Sequence, residues 1–513
     1  MFWKKTVTVL AVVFIGFWGF GFSECAGAAA AGKRLNIAVG REPTAIDPSL
    51  NSTGADYVVT DNFIEHLLYM APDGKLGPGL ATSWTVSPDG KEMEFTLRKG
   101  VKFHTGDLMT TKDVVFSFDR GKTKNPTHAV RLKSVDRVTV IDDYRFKITF
   151  KEPDSSFMAN RCGAPIVSKS YYDRVGEDTF SKNPVGTSPY KVIRYVPGEY
   201  VDIERFEDYW GKKPSVKEAR FYFVTEDTTR IAKLLAGEVD IINACPYPYV
   251  REVEKSKDLK LVKFEACQTA PSILFHNFNP NTPWYKKQVR LAMAYAIDSK
   301  AIIKSVLQGL PNHYPFLAPW ELGYDPSIQD YPYDPKKAKE LLAQAGYPNG
   351  FEFKLYWEIT GRYPMAREIA EAVAAYLEAV GIRTTLVGEE SLAHYQRVRA
   401  AKKRSDAEVV VCRTFGRSSE PSYSLALHFG SDGANGSYSN PEFDKMVAEA
   451  RATVNDARRA ELIKKAVKFL HDDVARIPIC DIVAFYAMKK NIDFTPTKGI
   501  LFDLILVKDV VMK

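Results

Sequence analysis

Two textures divide the chain. From about residue 33 to about residue 270, apolar and polar residues alternate over short runs, the period of half-buried strands. Met93, Phe95 and Leu97 form one such run; Tyr144, Phe146, Ile148 and Phe150 form another. The latter pairs with residues 138–141 in an expected hairpin around Asp142-Asp143. Pro197-Gly198 turns a second hairpin between residues 190–196 and 200–205. A strand is expected at 35–39. A helix over 228–236 stops at Gly237 and feeds a strand at 239–242. Thr110 with Asp113 resembles a capping box for a helix through Val114, Val115 and Phe118.

Past about residue 285 the apolar spacing lengthens to three and four. Val289, Ala292, Met293, Ala296 and Ile297 make one helical stripe, and Asp298 caps a following helix that stops at Gly309. Asp334 as N-cap, Pro335 in the first turn and Gly346 beyond the last bracket another helix. A third stripe, Ile369, Val373, Tyr376, Leu377 and Val380, ends at Gly381, and Asn440-Pro441 opens one more. Strand-rich and helix-rich halves of this size predict an α/β protein of two or three lobes.

Residues 1–31 read as a secretory signal. Lys4 and Lys5 precede an apolar run over 7–22, and the Ala-rich stretch 26–31 offers the small residues of a cleavage site. The apolar run is roughly 16 residues, short of the ~20 that span a bilayer, so cleavage and a periplasmic destination are expected. Ser23-Glu24 stand before Cys25 where lipid attachment wants small neutral residues, which disfavours a lipoprotein. The 70 basic and 63 acidic residues are interleaved and leave a net charge of +7. Basic runs such as Lys402-Lys403-Arg404 are too short for a nucleic-acid surface. Beyond the signal stand Cys162, Cys245, Cys267, Cys412 and Cys480, an odd set without a C-x-x-C pair.

Catalytic signatures are missing. No phosphate-binding loop, zinc-protease helix or nucleophile elbow occurs, and the 8 histidines are scattered. The best enzyme candidate, Cys412 with His428, is more readily a buried cysteine beside a structural histidine. No cofactor, metal site or enzymatic activity is expected.

Six blocks carry a resemblance. The first runs from Leu76 to Trp84 (LGPGLATSW), through Pro88-Asp89-Gly90, to Phe103-His104. The second joins Gly186–Lys191 (GTSPYK) with Tyr209-Trp210-Gly211, and the third is Leu235–Asp240 (LAGEVD). Val289–Asp298, Tyr333–Tyr347 and Tyr438–Asp444 complete the series. Together they resemble family 5 extracellular solute-binding proteins, the peptide, nickel and related receptors of ABC importers. The resemblance implies a two-lobed periplasmic-binding-protein fold of type II. Residues 32–274 and 482–513 would form the first lobe, with 71–180 its extra subdomain, and 275–481 the second lobe. Crossings are expected at Gln268–Phe278 and Ile477–Tyr486. It implies further a monomer that delivers a peptide-class or other polar or anionic solute to ABC permease and ATPase subunits, with no nucleic-acid partner. A nickel-type chelate receptor is the alternative, and a hydrolase a more distant one.

Site residues follow from the resemblance. Arg362, in the segment after Trp357, matches an arginine that pairs with the ligand carboxylate in dipeptide receptors, a task its planar fork suits; a surface arginine is the plain alternative. The loop with Arg413, Phe415 and Arg417 matches a W-x-x-D-x-x-D-P loop whose first aspartate holds the ligand's α-ammonium. Here Thr414 stands at the Trp position, Arg417 at the first aspartate and Glu420 at the second. An arginine cannot accept a hydrogen bond from an ammonium and repels it, unless Arg417 merely pairs with Glu420. Trp357, Tyr423 and His428 are further cleft candidates; Trp284 and Tyr438 could line the cleft or equally be core.

Overall fold

The computed structural model describes residues 34–50, 56–71, 75–124, 128–129, 132–159, 164–265, 269–359, 363–390, 397, 410–415 (as backbone), 420–433, 436, 438–497 and 504–513. The expected signal 1–31, with Cys25, lies outside them, as do Cys162 and Cys267.

Seven strands build the first sheet, in the order Leu259–Phe264, Ala484–Lys489, Ile241–Ile242, Leu35–Val39, Glu218–Phe223, Tyr200–Arg205 and Tyr190–Val196. Leu35–Val39 is parallel to both of its neighbours, whereas the outer strands pair antiparallel. Leu35, Ile37, Val201, Phe221 and Tyr486 share its core. Five strands build the second sheet, in the order Arg383–Glu389, Glu352–Glu358, Val410–Phe415, Ala270–Phe275 and Arg476–Pro478. The chain is thus a two-lobed α/β protein.

Between the first sheet's early strands, an antiparallel sheet of Ala81–Val86, Glu92–Leu97, Arg145–Phe150 and Val135–Val140 has a core of its own. The alternation read from sequence puts Phe95 against Phe146, rings stacked 5.2 Å apart. Its helix Thr111–Lys124 opens on half of the expected capping box: the Asp113 carboxylate accepts from the Thr110 N–H at 2.8 Å. In the second lobe, Asp298, Asp334 and Asn440 all cap as expected, accepting from the backbone N–H groups of Ala301, Lys337 and Glu442.

One boundary moves. Ala270–Phe275, counted with the first lobe up to residue 274 and read as an extended crossing, pairs with Val410–Phe415 and Arg476–Pro478 in the second sheet. Every one of its residues is buried, as in a central strand covered on both faces. The second lobe therefore begins by Ala270, and the return crossing is the short link Ile479–Val483. Around it the two lobes share apolar contacts: Ile231, Leu234 and Val250 of the first lobe belong to the same cluster as Val289, Ile369 and Val373 of the second. Trp284 and Tyr438 are core residues, buried with their polar ends bonded to the His276 carbonyl and the Asp473 carboxylate.

Candidate functional site

Parallel strands aim their carboxyl ends the same way, and in open α/β sheets that edge holds the ligand. Gly40, Thr225 and Asn243 lie just past the ends of three such strands in the first lobe. Across from them, Glu352–Glu358 is parallel to Arg383–Glu389 and Val410–Phe415, and Ile359 follows it. Between the two edges lies a cavity of about 390 Å³, lined by both lobes and by Ile482 and Val483 of the return crossing. That volume suits a small solute.

The first-lobe wall is polar and heavily cross-tied. Arg230, 3% exposed, sits on helix Asp227–Leu235. Its guanidinium donates to the carbonyls of Val224 (2.9 Å) and Ala244 (3.3 Å) and pairs with Asp227. A Cβ at Gly40 would crowd the guanidinium at 3.2 Å, and the Gly40 N–H donates to the Asn243 side chain at 3.1 Å. Ala244 is held at φ 44°, a left-handed backbone that costs a non-glycine residue about 1 kcal/mol or more. The neighbouring Cys245 N–H donates to the Phe485 carbonyl at 2.6 Å. Burial raises the Cys245 thiol to about 12, so it packs the wall as a thiol rather than a nucleophile. Tyr247 then grips the crossing: its hydroxyl donates to the Val483 carbonyl at 2.9 Å and accepts from the Val483 N–H at 3.3 Å.

The second-lobe wall is mostly apolar. On strand Glu352–Glu358 the side chains of Phe353 and Leu355 enter the core, and the half-buried Trp357 packs against it. Trp357 and then Ile359 line the cavity. Tyr363, Pro364 and Met365 continue the wall, and Met365 too is left-handed, at φ 58°. It stands as N-cap of helix Ala366–Glu378 without a side-chain cap among the described residues. The leading residues Ala366, Arg367 and Glu368 line the cavity, so the helix turns its electropositive end toward it.

Of the residues proposed from sequence, Trp357 lines this cavity. Arg362 and Arg417 lie outside the described residues, as do the side chains of Arg413 and Phe415. Tyr423 and His428 ride on helix Ser422–Phe429, half-buried and buried respectively, and neither is among the cavity's lining residues. Glu420 accepts the Ser422 hydroxyl at 2.8 Å and stands 3.5 Å from Arg459. Burial holds its carboxyl above the usual range.

Sequence reasoning missed Arg230, Tyr247 and Glu65. Glu65 is the meeting point of the second sequence block: Thr187, Tyr209 and Trp210 each donate to its carboxylate at 2.9 Å. Burial raises its pKa, against those donors. Thr187, Tyr209 and Trp210 of that block therefore serve the architecture around Glu65, which no local spacing in the sequence marks.

Residues 75–436 match the model of bacterial extracellular solute-binding proteins, family 5. The heme-binding protein A of Haemophilus influenzae is 32% identical, with 88% of each chain covered. The dipeptide-binding protein of Escherichia coli is 30% identical, covering 88% of this chain and 89% of that one. Among solved structures, a periplasmic binding protein of Helicobacter pylori in complex with the peptide STSA superposes with a TM-score of 0.82 at 26% identity, over 94% of this chain and 98% of that one.

Proposed function

Since the chain belongs to the bacterial extracellular solute-binding proteins of family 5, whose members serve ABC importers rather than catalyse reactions, we propose that it captures a small polar or anionic solute between its lobes and presents it to an ABC permease. The observation that carries this reading is the 390 Å³ cavity at the carboxyl ends of both sheets, with Ile482 and Val483 of the lobe-to-lobe link in its lining. A few residues at Ile479–Val483 absorb the rotation that closes the lobes. The protein works as a monomer in the periplasm after loss of residues 1–31, and ATPase subunits of the importer supply the energy.

Relatives bind dipeptides, a peptide and heme by their names, and the fine specificity departs from the dipeptide class. Arg417 stands where peptide receptors carry the aspartate for a free α-ammonium, and Arg362 where they carry the arginine for a carboxylate. The solute is therefore one without a free amine at that end. Native mass spectrometry of protein purified from its host, followed by calorimetry against free and amine-blocked dipeptides, tests both halves. A co-purified small molecule is the expected result. Micromolar binding of free dipeptides overturns the specificity; an empty, ligand-indifferent protein overturns solute capture.

A further inference from the structure

Gly388 lies on the edge strand Arg383–Glu389, in register with Trp357 of the neighbouring strand. Residues paired across a sheet point to the same face, as do residues two apart along a strand. Trp357, Ile359 and position 388 therefore share one face, and that face is the cavity wall: Trp357 and Ile359 both line it. The Ile359 N–H continues the ladder by donating to the Glu389 carbonyl at 2.9 Å, which fixes Ile359 beside Gly388.

Glycine is not needed here for its backbone, since Gly388 has no left-handed φ. What matters is the space above it. A Cβ at 388 would stand 2.6 Å from Cγ2 of Ile359 and 3.1 Å from Cζ2 of Trp357. Carbon atoms need roughly 3.5 Å or more, so any side chain there drives the isoleucine and the indole away from the strand. Those two groups move toward the cavity or along it, because the core side of the strand is already filled by Leu355.

We propose that Gly388 is a specificity-determining position: by lacking a side chain it lets Trp357 and Ile359 lie down on the edge strand, forming a shelf for a flat apolar group of the solute. Gly388 touches no solute itself and acts through those two neighbours. The inference rests on the solute-capture reading and adds the chemistry of one end of the solute, an apolar planar moiety opposite the polar first-lobe wall.

Anilinonaphthalene sulfonate, planar, apolar and anionic, is the probe. Fluorescence titration of the full-length mature protein should show one saturable site. Gly388→Val should weaken it about tenfold and Gly388→Ala less, in line with overpacking penalties. Trp357→Ala should weaken it as well. Position 388 is exposed, so melting temperatures should hold. Pairing Gly388→Ala with Ile359→Leu, which lacks the clashing Cγ2 but keeps the apolar bulk, should restore much of the affinity, a rescue that a merely structural role would not give. Weakening by Trp357→Ala but not by Gly388→Val overturns the role of Gly388 and keeps the cavity as the site. No saturable binding, or binding indifferent to both changes, overturns the shelf, while solute capture stands or falls on the co-purified molecule.

Discussion

The two walls of the cleft are made by opposite means. On the first lobe, backbone groups at three strand ends are tied to one another by a buried arginine, an asparagine amide and a tyrosine hydroxyl. Side chains there are spent on holding the wall. On the second lobe, Trp357, Ile359 and Tyr363 present their own surfaces, and the ties behind them are ordinary strand and core contacts. A wall built from cross-tied backbone resists change, since each substitution leaves buried polar groups unpaired. One built from side chains over a formed sheet can be re-cut one residue at a time. The second lobe is thus where a fold shared by receptors of different solutes can vary its recognition.

Removing the central tie should break the contrast most severely. Arg230→Met leaves the Val224 and Ala244 carbonyls without their donor and a left-handed Ala244 without its anchor. A loss of about 3 kcal/mol of stability is expected, read by denaturant melts, with partial recovery in Arg230→Lys. A loss under about 1 kcal/mol would mean the first-lobe wall is no more cross-tied than the second.

Acid should weaken the first lobe next. The Gly186 N–H donates to Nδ1 of His104 at 3.3 Å, while Nε2–H bonds the Ser188 carbonyl at 3.0 Å. An imidazole that accepts at one nitrogen must be neutral, and burial lowers its pKa from 6.5 to about 4. As pH falls below about 6.5 the unfolded chain takes a proton that the native His104 refuses. The stability it contributes above that pH is therefore lost progressively toward about 4. That shift makes about 2 kcal/mol vanish between about pH 7 and pH 5. Stability curves of the wild type and His104→Gln should converge on acidification; parallel curves would remove this cost from the first lobe.

How much of this contrast was legible in the sequence depends on range. Caps such as Asp334 and Asn440 answer to neighbours two or three residues away, so local spacing sufficed. Trp357 stands at a strand end shortly before a helix start, itself a local pattern, and the fold sets it in the cavity lining. Glu65 meets partners 122 to 145 residues away, and Gly388 matters only through a strand thirty residues earlier in the chain. Ala270–Phe275 was misassigned because an unbroken apolar run does not say which sheet it will join.

A smaller effect sharpens the comparison at the joint between the walls. Tyr247→Phe removes the hydroxyl that both donates to and accepts from Val483, costing about 1 kcal/mol. The ring stays seated against Phe485, centroids 6.1 Å apart, so the fold persists. Scattering should show a larger radius of gyration, because Val483 loses its tie to the first lobe while Ile479–Ile482 stays bonded to the second through Pro271 and its neighbours. An unchanged radius would put the hinge elsewhere.

Arg367 supplies the gentlest test and the one most specific to the second-lobe wall. It lines the cavity from the first turn of helix Ala366–Glu378 and pairs with Glu371 at 2.8 Å. Both partners are well exposed, so solvent screens the pair. The cation also sits at the electropositive helix end, where the macrodipole opposes it. A cation preceding its anion by one turn is the weaker orientation of such a pair. These contributions nearly cancel, and Arg367→Ala should leave the melting temperature unchanged. If the second lobe presents side chains free of structural duty, this variant will melt like the wild type, and any change in its calorimetric affinity for an anionic solute reports contact alone. A clearly lowered melting temperature would show that this wall, too, depends on the groups it presents.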